Sequence, residues 1–354
     1  MRILIVNRHR ADVVGGSEIQ CDQIARALTE RGHAPTYAVM EPRRARYELP
    51  YPCLPVAPGR AGFRAALAEA RAELVYWRFN RRGLWAAAGA ARDAGAAFLY
   101  ALSHDDDTRV WPALADLASP RRAWRALLAG ANALACRRVD GFVAQHAGQA
   151  RGLPQGRTRV IHNSAFAGTS AFAWPRPYVA WVANVKPRKR PERFVELAQA
   201  LSGEPFDCLA VGALQDRRYA WLADRSRLPA RFHYLGARPP EEVNGLIAGA
   251  RCVVLTCEPE GFPNVLLQAW QLGIPTASLA YDPDGWIATH RLGAVAATVA
   301  ELATAVRALV ADETERAAIA ARAQALVAER FSLAANVSAL EAFAAERLAA
   351  RRGT

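Results

Sequence analysis

Glu260 and Gln268 stand eight residues apart in the run Glu260-Gly261-Phe262-Pro263-Asn264-Val265-Leu266-Leu267-Gln268. An acid opens a small, turn-prone stretch, an apolar helix start follows, and a second polar group comes about a turn into that helix. Such a pair can flank an anion held on the backbone N–H groups of the helix N-terminus. The run follows a strand-like segment, 251–256, so it occupies the strand-to-helix corner where α/β folds present ligands. The plain alternative is an ordinary corner with a charged loop. A second constellation is Ala183-Asn184-Val185-Lys186-Pro187-Arg188-Lys189-Arg190-Pro191. It places four cations in five residues, again after a strand and before a helix. Lys186 and Lys189 are the only lysines among 45 basic residues. A compact ammonium makes a point contact to phosphate where a guanidinium makes a planar fork. The loop therefore reads as a diphosphate cradle, against the alternative of a solvated charge run.

Three further groups follow strand-like runs in the first half. Gly15-Gly16 precedes Ser17-Glu18 and lets backbone approach a ligand closely before a helix; Ser17 is also a good helix N-cap. Neither a Gly-x-Gly-x-x-Gly fingerprint nor a P-loop is present, which disfavours dinucleotide and NTPase readings. His104, in Ser103-His104-Asp105-Asp106-Asp107, is expected to point into a cleft from a strand end. Asp105-x-Asp107 has the look of a metal pair, but acids at this position are better read as complementing a helix N-terminus. No metal is expected.

The elements that must position these groups alternate from end to end. In the first half, strand candidates are Arg2–Asn7, Thr36–Met40, Leu74–Trp77, Ala97–Ala101, Gly141–Ala144 and Arg159–Ile161. In the second half they are Tyr178–Ala183, Asp207–Val211, Phe232–Leu235, Cys252–Thr256 and Thr276–Leu279. Ala/Leu-rich helical stretches intervene, which predicts two parallel, doubly wound α/β sheets. Ser164 to Pro177, small and Gly/Pro-bearing, reads as the linker between domains. The expected division is 1–168, 169–332 and a C-terminal helix within 333–354 that packs back on the first domain. Two such domains facing each other would make a cleft. At 354 residues and 52% hydrophobic content the chain can bury large cores. No run is long and apolar enough to span a membrane, and six cysteines without a Cys-x-x-Cys read as reduced thiols.

Taken in order along the chain, these pieces resemble the retaining glycosyltransferases of family 4, with the GT-B architecture of two Rossmann-like domains. The resemblance runs from Arg2 to about Phe331. It rests on Gly15-Gly16-Ser17-Glu18, Val160-Ile161-His162-Asn163, the basic loop ending in Lys189, Val211-Gly212, Tyr234-Leu235-Gly236 and the segment from Glu260. The resemblance implies that Glu260 contacts the donor sugar and Gln268 the ribose, with Gly261, Phe262, Asn264 and Val265 between them. It implies that Lys189, with Lys186 and Arg190, grips the donor diphosphate, that Gly15 and Gly16 approach it, and that His104 lies near the reacting sugar. Asn163 and Asn184 complete the expected cleft. Gln268 stands where the family has glutamate, Asn184 where it has arginine, and Ser164 where it has glycine. A glutamine can still bond a ribose diol, so Gln268→Glu is expected to keep or tighten nucleotide binding.

The implied activity is transfer of a sugar from a nucleotide-diphosphate sugar to a glycan or lipid-linked hydroxyl, retaining anomeric configuration and needing no metal or other cofactor. The alternatives are a degenerate GT-B protein kept for binding, motivated by Gln268 and Asn184, and a GT-B sugar-nucleotide epimerase. Net charge is +12, of which +10 lies in residues 1–168. That asymmetry suggests an anionic partner for the first domain. Arg8, Arg10, Arg78, Arg81 and Arg82 follow its strands. The stretch 121–128 is basic and amphipathic, which suits an anionic inner-membrane surface. Localisation is expected to be cytoplasmic, peripheral on that membrane. A nucleic-acid partner is disfavoured because no recognition helix or aromatic-basic module is present.

Overall fold

The computed structural model describes residues 1–13, 15–79, 81, 83–103, 107, 130, 133–165, 168–259 and 261–353. The chain divides into two compact units, Met1–Asn163 with Leu333–Thr354, and Ser164–Ser332.

Unit 1 is built on a seven-stranded sheet of β1 (Arg2–Asn7), β2 (Ala34–Val39), β3 (Cys53–Pro55), β4 (Leu74–Trp77), β5 (Ala97–Ala101), β6 (Gly141–Ala144) and β7 (Thr158–Val160). The spatial order is β3-β2-β1-β4-β5-β6-β7, and every pairing is parallel. Parallel neighbours need a crossover, and helices Gly16–Glu30, Arg60–Glu69 and Leu84–Asp93 supply crossovers on this sheet. Apolar side chains alternate to both faces, so β1 puts Leu4 and Val6 into one core and Ile3 and Ile5 into the other. That double burial is why these strands read as continuous apolar runs.

Unit 2 repeats the scheme with β8 (Tyr178–Val182), β9 (Asp207–Val211), β10 (Phe232–Tyr234), β11 (Val253–Leu255), β12 (Thr276–Leu279) and β13 (Gly293–Ala296). The order is β10-β9-β8-β11-β12-β13, again with parallel pairing. In each sheet the winding direction reverses once, between β1 and β4 in unit 1 and between β8 and β11 in unit 2. Such a reversal opens a crevice at the carboxyl ends of the two strands, which is where open α/β sheets receive ligands.

Two strands are additional to those the sequence suggested, β3 and β13. Both are short, one ends on proline, and the other begins with Gly-Ala, so neither carries a strand-like signal. The segment expected as a linker is docked on unit 2. Phe172 and Trp174 stack with an interplanar angle of 3° and lie against its core. Trp174 Nε1 donates to Asp207 Oδ2 at 2.8 Å, and the Ser170 amide donates to the Glu241 carbonyl. A Cβ on Gly245 would stand 1.9 Å from the Ser170 carbonyl oxygen, so only glycine lets the segment lie this close.

Helix Leu333–Arg352 belongs to unit 1. It buries Val337, Leu340, Phe343 and Ala344 against Ile3, Leu28, Leu99 and Val143. Arg31 and His33 bond Glu341 at 2.6 and 2.8 Å, and Arg351 bonds Asp140 at 3.0 Å. Gly141 makes room for this helix, since a Cβ there would meet the Phe343 ring at 2.7 Å.

Candidate functional site

In unit 2 the crevice between β8 and β11 is where the basic loop lies. Lys186 precedes a single 3-10 turn, Pro187–Lys189, and Arg190 caps helix Pro191–Ala200. Arg190 holds φ 50° and ψ 55°, a left-handed conformation that costs a non-glycine residue about 1–2 kcal/mol. The loop is held there by one buried hydroxyl. Trp181 Nε1 donates to Thr256 Oγ1 at 2.9 Å, and that hydroxyl shares its one proton between the carbonyl oxygens of Lys189 and Arg190, 2.8 and 3.0 Å away. The Glu258 amide adds a bond to the Arg188 carbonyl at 2.9 Å. Thus the loops that follow β8 and β11 are stitched together by their backbones, and the four cationic side chains, all half-buried, are carried at the strand ends.

A second set of contacts holds the loop from the other side. Val185 donates to the Ala213 carbonyl and Gln215 to the Val185 carbonyl, at 2.8 and 3.0 Å. Gly212 lies so close beneath that a Cβ would stand 1.8 Å from the Ala183 carbonyl and 3.1 Å from the Asn184 nitrogen. Asn184 therefore sits at the tightest backbone crossing in this unit's site.

Glu260 lies outside the described residues. Its neighbours are anchored. Tyr281 Oη donates to the Gly261 carbonyl at 2.8 Å. Phe262 is buried against Trp270 and Phe331, so its ring anchors the loop from the core side. Asn264 and Val265 open helix Asn264–Gln271, whose N-cap is Pro263; in its first turn the Leu266 amide donates to the Pro263 carbonyl at 3.1 Å. Gln268 does not stand alone. Its Nε2 donates to Asn244 Oδ1 at 2.7 Å, and Asn244 Nδ2 donates to the Gly168 carbonyl at 2.6 Å. A carbonyl only accepts, so the Asn244 amino group must face Gly168. Its oxygen must then face Gln268, and Gln268 must answer with its amino group. The chain of bonds leaves Oε1 as the end of Gln268 turned away from this pairing.

Unit 1 holds the other predicted groups. Gly15 is the N-cap of helix Gly16–Glu30, two residues before the expected cap, Ser17. Ser17 Oγ instead donates to Glu18 Oε2 at 2.8 Å, and Arg8 pairs with Glu18 Oε1 at 3.3 Å. The Glu18 carboxylate folds back over Gly15, where a Cβ would meet Oε2 at 2.4 Å. The preceding loop is fixed by His9, which escaped the sequence reading. Its Nδ1 accepts from the Ala11 amide at 3.1 Å and its Nε2 lies 3.0 Å from Tyr51 Oη; Tyr51 in turn donates to Asp22. Burial holds the His9 pKa below its ordinary value despite the pull of Asp22. With Nδ1 accepting, the ring is neutral and Nε2 carries the proton. Asn163 accepts from Arg78 through Oδ1, and its carbonyl accepts from Asn336 Nδ2 at 3.3 Å.

His104, Asp105 and the stretch 121–128 lie outside the described residues, as does Arg82. Asp107 is described and pairs with Arg81 at 3.6 Å. No cluster of three or more His, Cys, Asp or Glu that could hold a metal occurs among the described residues. No helix among them is long and apolar enough to cross a membrane. All six cysteines are free thiols.

Residues 176–312 match the protein family described as Glycosyl transferases group 1. No protein of curated function matches the chain in sequence. Among solved structures, Anabaena Alr3699/HepE in complex with UDP superposes with a TM-score of 0.73 at 17% identity, covering 98% of this chain and 100% of that one. Sucrose-phosphate synthase from Thermosynechococcus elongatus gives 0.76 at 15% identity, covering 98% and 99%. WaaG, a glycosyltransferase involved in lipopolysaccharide biosynthesis, gives 0.70 at 15% identity, covering 96% and 98%. At these identities the likeness establishes the fold, the two-domain GT-B architecture.

Proposed function

We propose that the chain, a glycosyltransferase of the GT-B fold, moves a sugar from a nucleotide-diphosphate sugar to a hydroxyl of a glycan or lipid-linked acceptor, with retention at the anomeric carbon. The observation that carries this reading is the cationic loop 186–190, tied through Thr256 to the strand ends of the unit that matches the family. Breaking the anomeric C–O bond leaves negative charge on the nucleotide diphosphate. Lys186, Lys189 and Arg190 would meet that charge as it develops. Because the loop is tied to the neighbouring strand end through the buried Thr256 hydroxyl, its charges need little rearrangement as the leaving group departs.

Gln268 Oε1 is suited to accept from a ribose hydroxyl, and Glu260 takes the sugar hydroxyls by the resemblance. Retention fits a front-face path in which the departing phosphate helps to deprotonate the acceptor. The resemblance places His104 near the reacting sugar. Unit 1, with most of the net positive charge, is the side proposed for the acceptor and for contact with an anionic membrane surface at the cytoplasmic face. HepE has been solved with UDP and with UDP-glucose, so uridine nucleotides are the first donors to try.

A thermal-shift screen with UDP, GDP, ADP and their common sugars tests the reading. One nucleotide is expected to give a saturable rise in melting temperature. Lys189→Ala is expected to raise its half-saturating concentration by about tenfold, the scale of one charge-assisted contact. Glu260→Ala is expected to abolish transfer. Absence of any nucleotide response, together with full activity in Glu260→Ala, would sink the proposal.

A further inference from the structure

We propose that Arg78 is the core of an anion site in unit 1, one that receives a phosphate or carboxylate oxyanion. Arg78 directly follows β4, and β4 borders the reversal of winding between β1 and β4. It therefore stands at the same kind of crevice as the basic loop of unit 2, but on the strand that corresponds to β11 rather than to β8. The residue is 5% exposed. Of the five N–H donors of its guanidinium, two are engaged, one by Tyr76 Oη at 3.5 Å and one by Asn163 Oδ1. Nε has no partner.

Both engaged partners are neutral oxygens. No carboxylate pairs with Arg78 among the described residues, whereas other arginines of the same unit each meet one. Arg8 pairs with Glu18, Arg10 and Arg26 pair with Asp22, and Arg44 pairs with Asp12. Nor can the adjacent acids of the core serve. Burial pushes the Cys21 thiol up to about 11 and the Tyr76 phenol to about 12, so both are neutral near pH 7. A buried cation without a counter-ion is costly to a fold. Asn163 and Tyr76 orient the guanidinium but do not cancel its charge, and the donors left over match the planar fork that binds carboxylate and phosphate in pairs. At a ligand-receiving crevice, this is a preorganised counter-charge for an oxyanion that arrives with a ligand. The identity of that ligand as an anionic acceptor sugar rests on the function proposed above; the anion site itself does not.

The test is a thermal-shift titration with inorganic phosphate at constant ionic strength, set by chloride. It is run with UDP at saturation so that phosphate binding at the 186–190 loop is not counted. Wild type is expected to show a saturable stabilisation. Arg78→Met is expected to lose it, and Arg78→Lys, which keeps the charge and loses the fork, to need about tenfold more phosphate. Glucose 6-phosphate and glucuronate, titrated in parallel, distinguish a phosphate-bearing from a carboxylate-bearing ligand. No phosphate response in wild type, or the same response in Arg78→Met, overturns the site. Should Arg78→Met not fold, an unchanged response in Arg78→Lys overturns it equally. A wild type that responds to no nucleotide but shows a phosphate response that Arg78→Met loses would leave the anion site standing and remove the donor reading.

Discussion

At the scale of single residues, Gln268 shows how a neighbour decides what a side chain can offer. Judged by type alone, glutamine at this position is a weakened glutamate, and restoring the acid looks harmless. For the stability of the fold, as distinct from nucleotide binding, the structure adds a cost. Asn244 is fully buried and presents its oxygen to residue 268 because its amino group is committed to Gly168. A carboxylate at 268 would set acceptor against acceptor, or force Asn244 to turn and leave the Gly168 carbonyl without that donor. Gln268→Glu is therefore expected to lose about 1–3 kcal/mol at pH 7. The introduced acid would have a folded pKa raised above its unfolded value of about 4.3. Its cost should thus be absent below that pH, where the protonated acid can donate to Asn244, and grow as pH rises through the folded pKa. Urea melts at pH 4 and pH 7 check this, and an equal loss at both would refute the acceptor clash. The pairing was not legible in the sequence, since Asn244 lies 24 residues away on another helix and meets Gln268 only after packing. The burial of the Phe262 ring was hidden from the sequence for a similar reason. Adjacent to polar site residues, it takes its character from Trp270 and Phe331.

At the scale of elements, the donor-side loops are fixed by hydrogen bonds that converge on the Thr256 hydroxyl. Thr256→Val keeps the shape and removes the hydroxyl. It leaves the Trp181 N–H without this acceptor and the Lys189 and Arg190 carbonyls without this donor. The expected result is a loss of about 1–3 kcal/mol in stability together with weaker nucleotide binding, while Thr256→Ser keeps both. Denaturation and nucleotide titration of the pair would show it, and wild-type behaviour in Thr256→Val would mean the hydroxyl does not hold the loop. Most elements could be read in advance because their strands are buried on both faces and their helices carry Ala/Leu runs. Leu74–Trp77, Ala97–Ala101, Gly141–Ala144 and Asp207–Val211 have the same bounds in structure as in sequence. Strands β3 and β13 were missed because edge position, not composition, makes them strands. The docking of Phe172 and Trp174 was missed because a small, proline-bearing segment gives no hint of the surface that receives it.

At the scale of the whole molecule, unit 1 draws its core from two distant stretches of chain. Phe343 is 2% exposed and seated on Gly141. Phe343→Ala is expected to cost about 3–5 kcal/mol, the range for deleting a buried aromatic ring. Since the two units have separate cores, calorimetry should show one transition lowered and the other near its original temperature; a uniform shift of a single transition would mean the units do not melt separately. The discontinuity also orders the events of biosynthesis. Ser164–Ser332 is one uninterrupted stretch and has all its strands as soon as it leaves the ribosome. The sheet of unit 1 emerges earlier, yet Ile3, Leu28 and Leu99 wait for Leu340 and Phe343, which are translated after the whole of unit 2. Nascent unit 1 therefore carries an uncovered apolar face throughout that interval, and it is the half that a holding chaperone would meet.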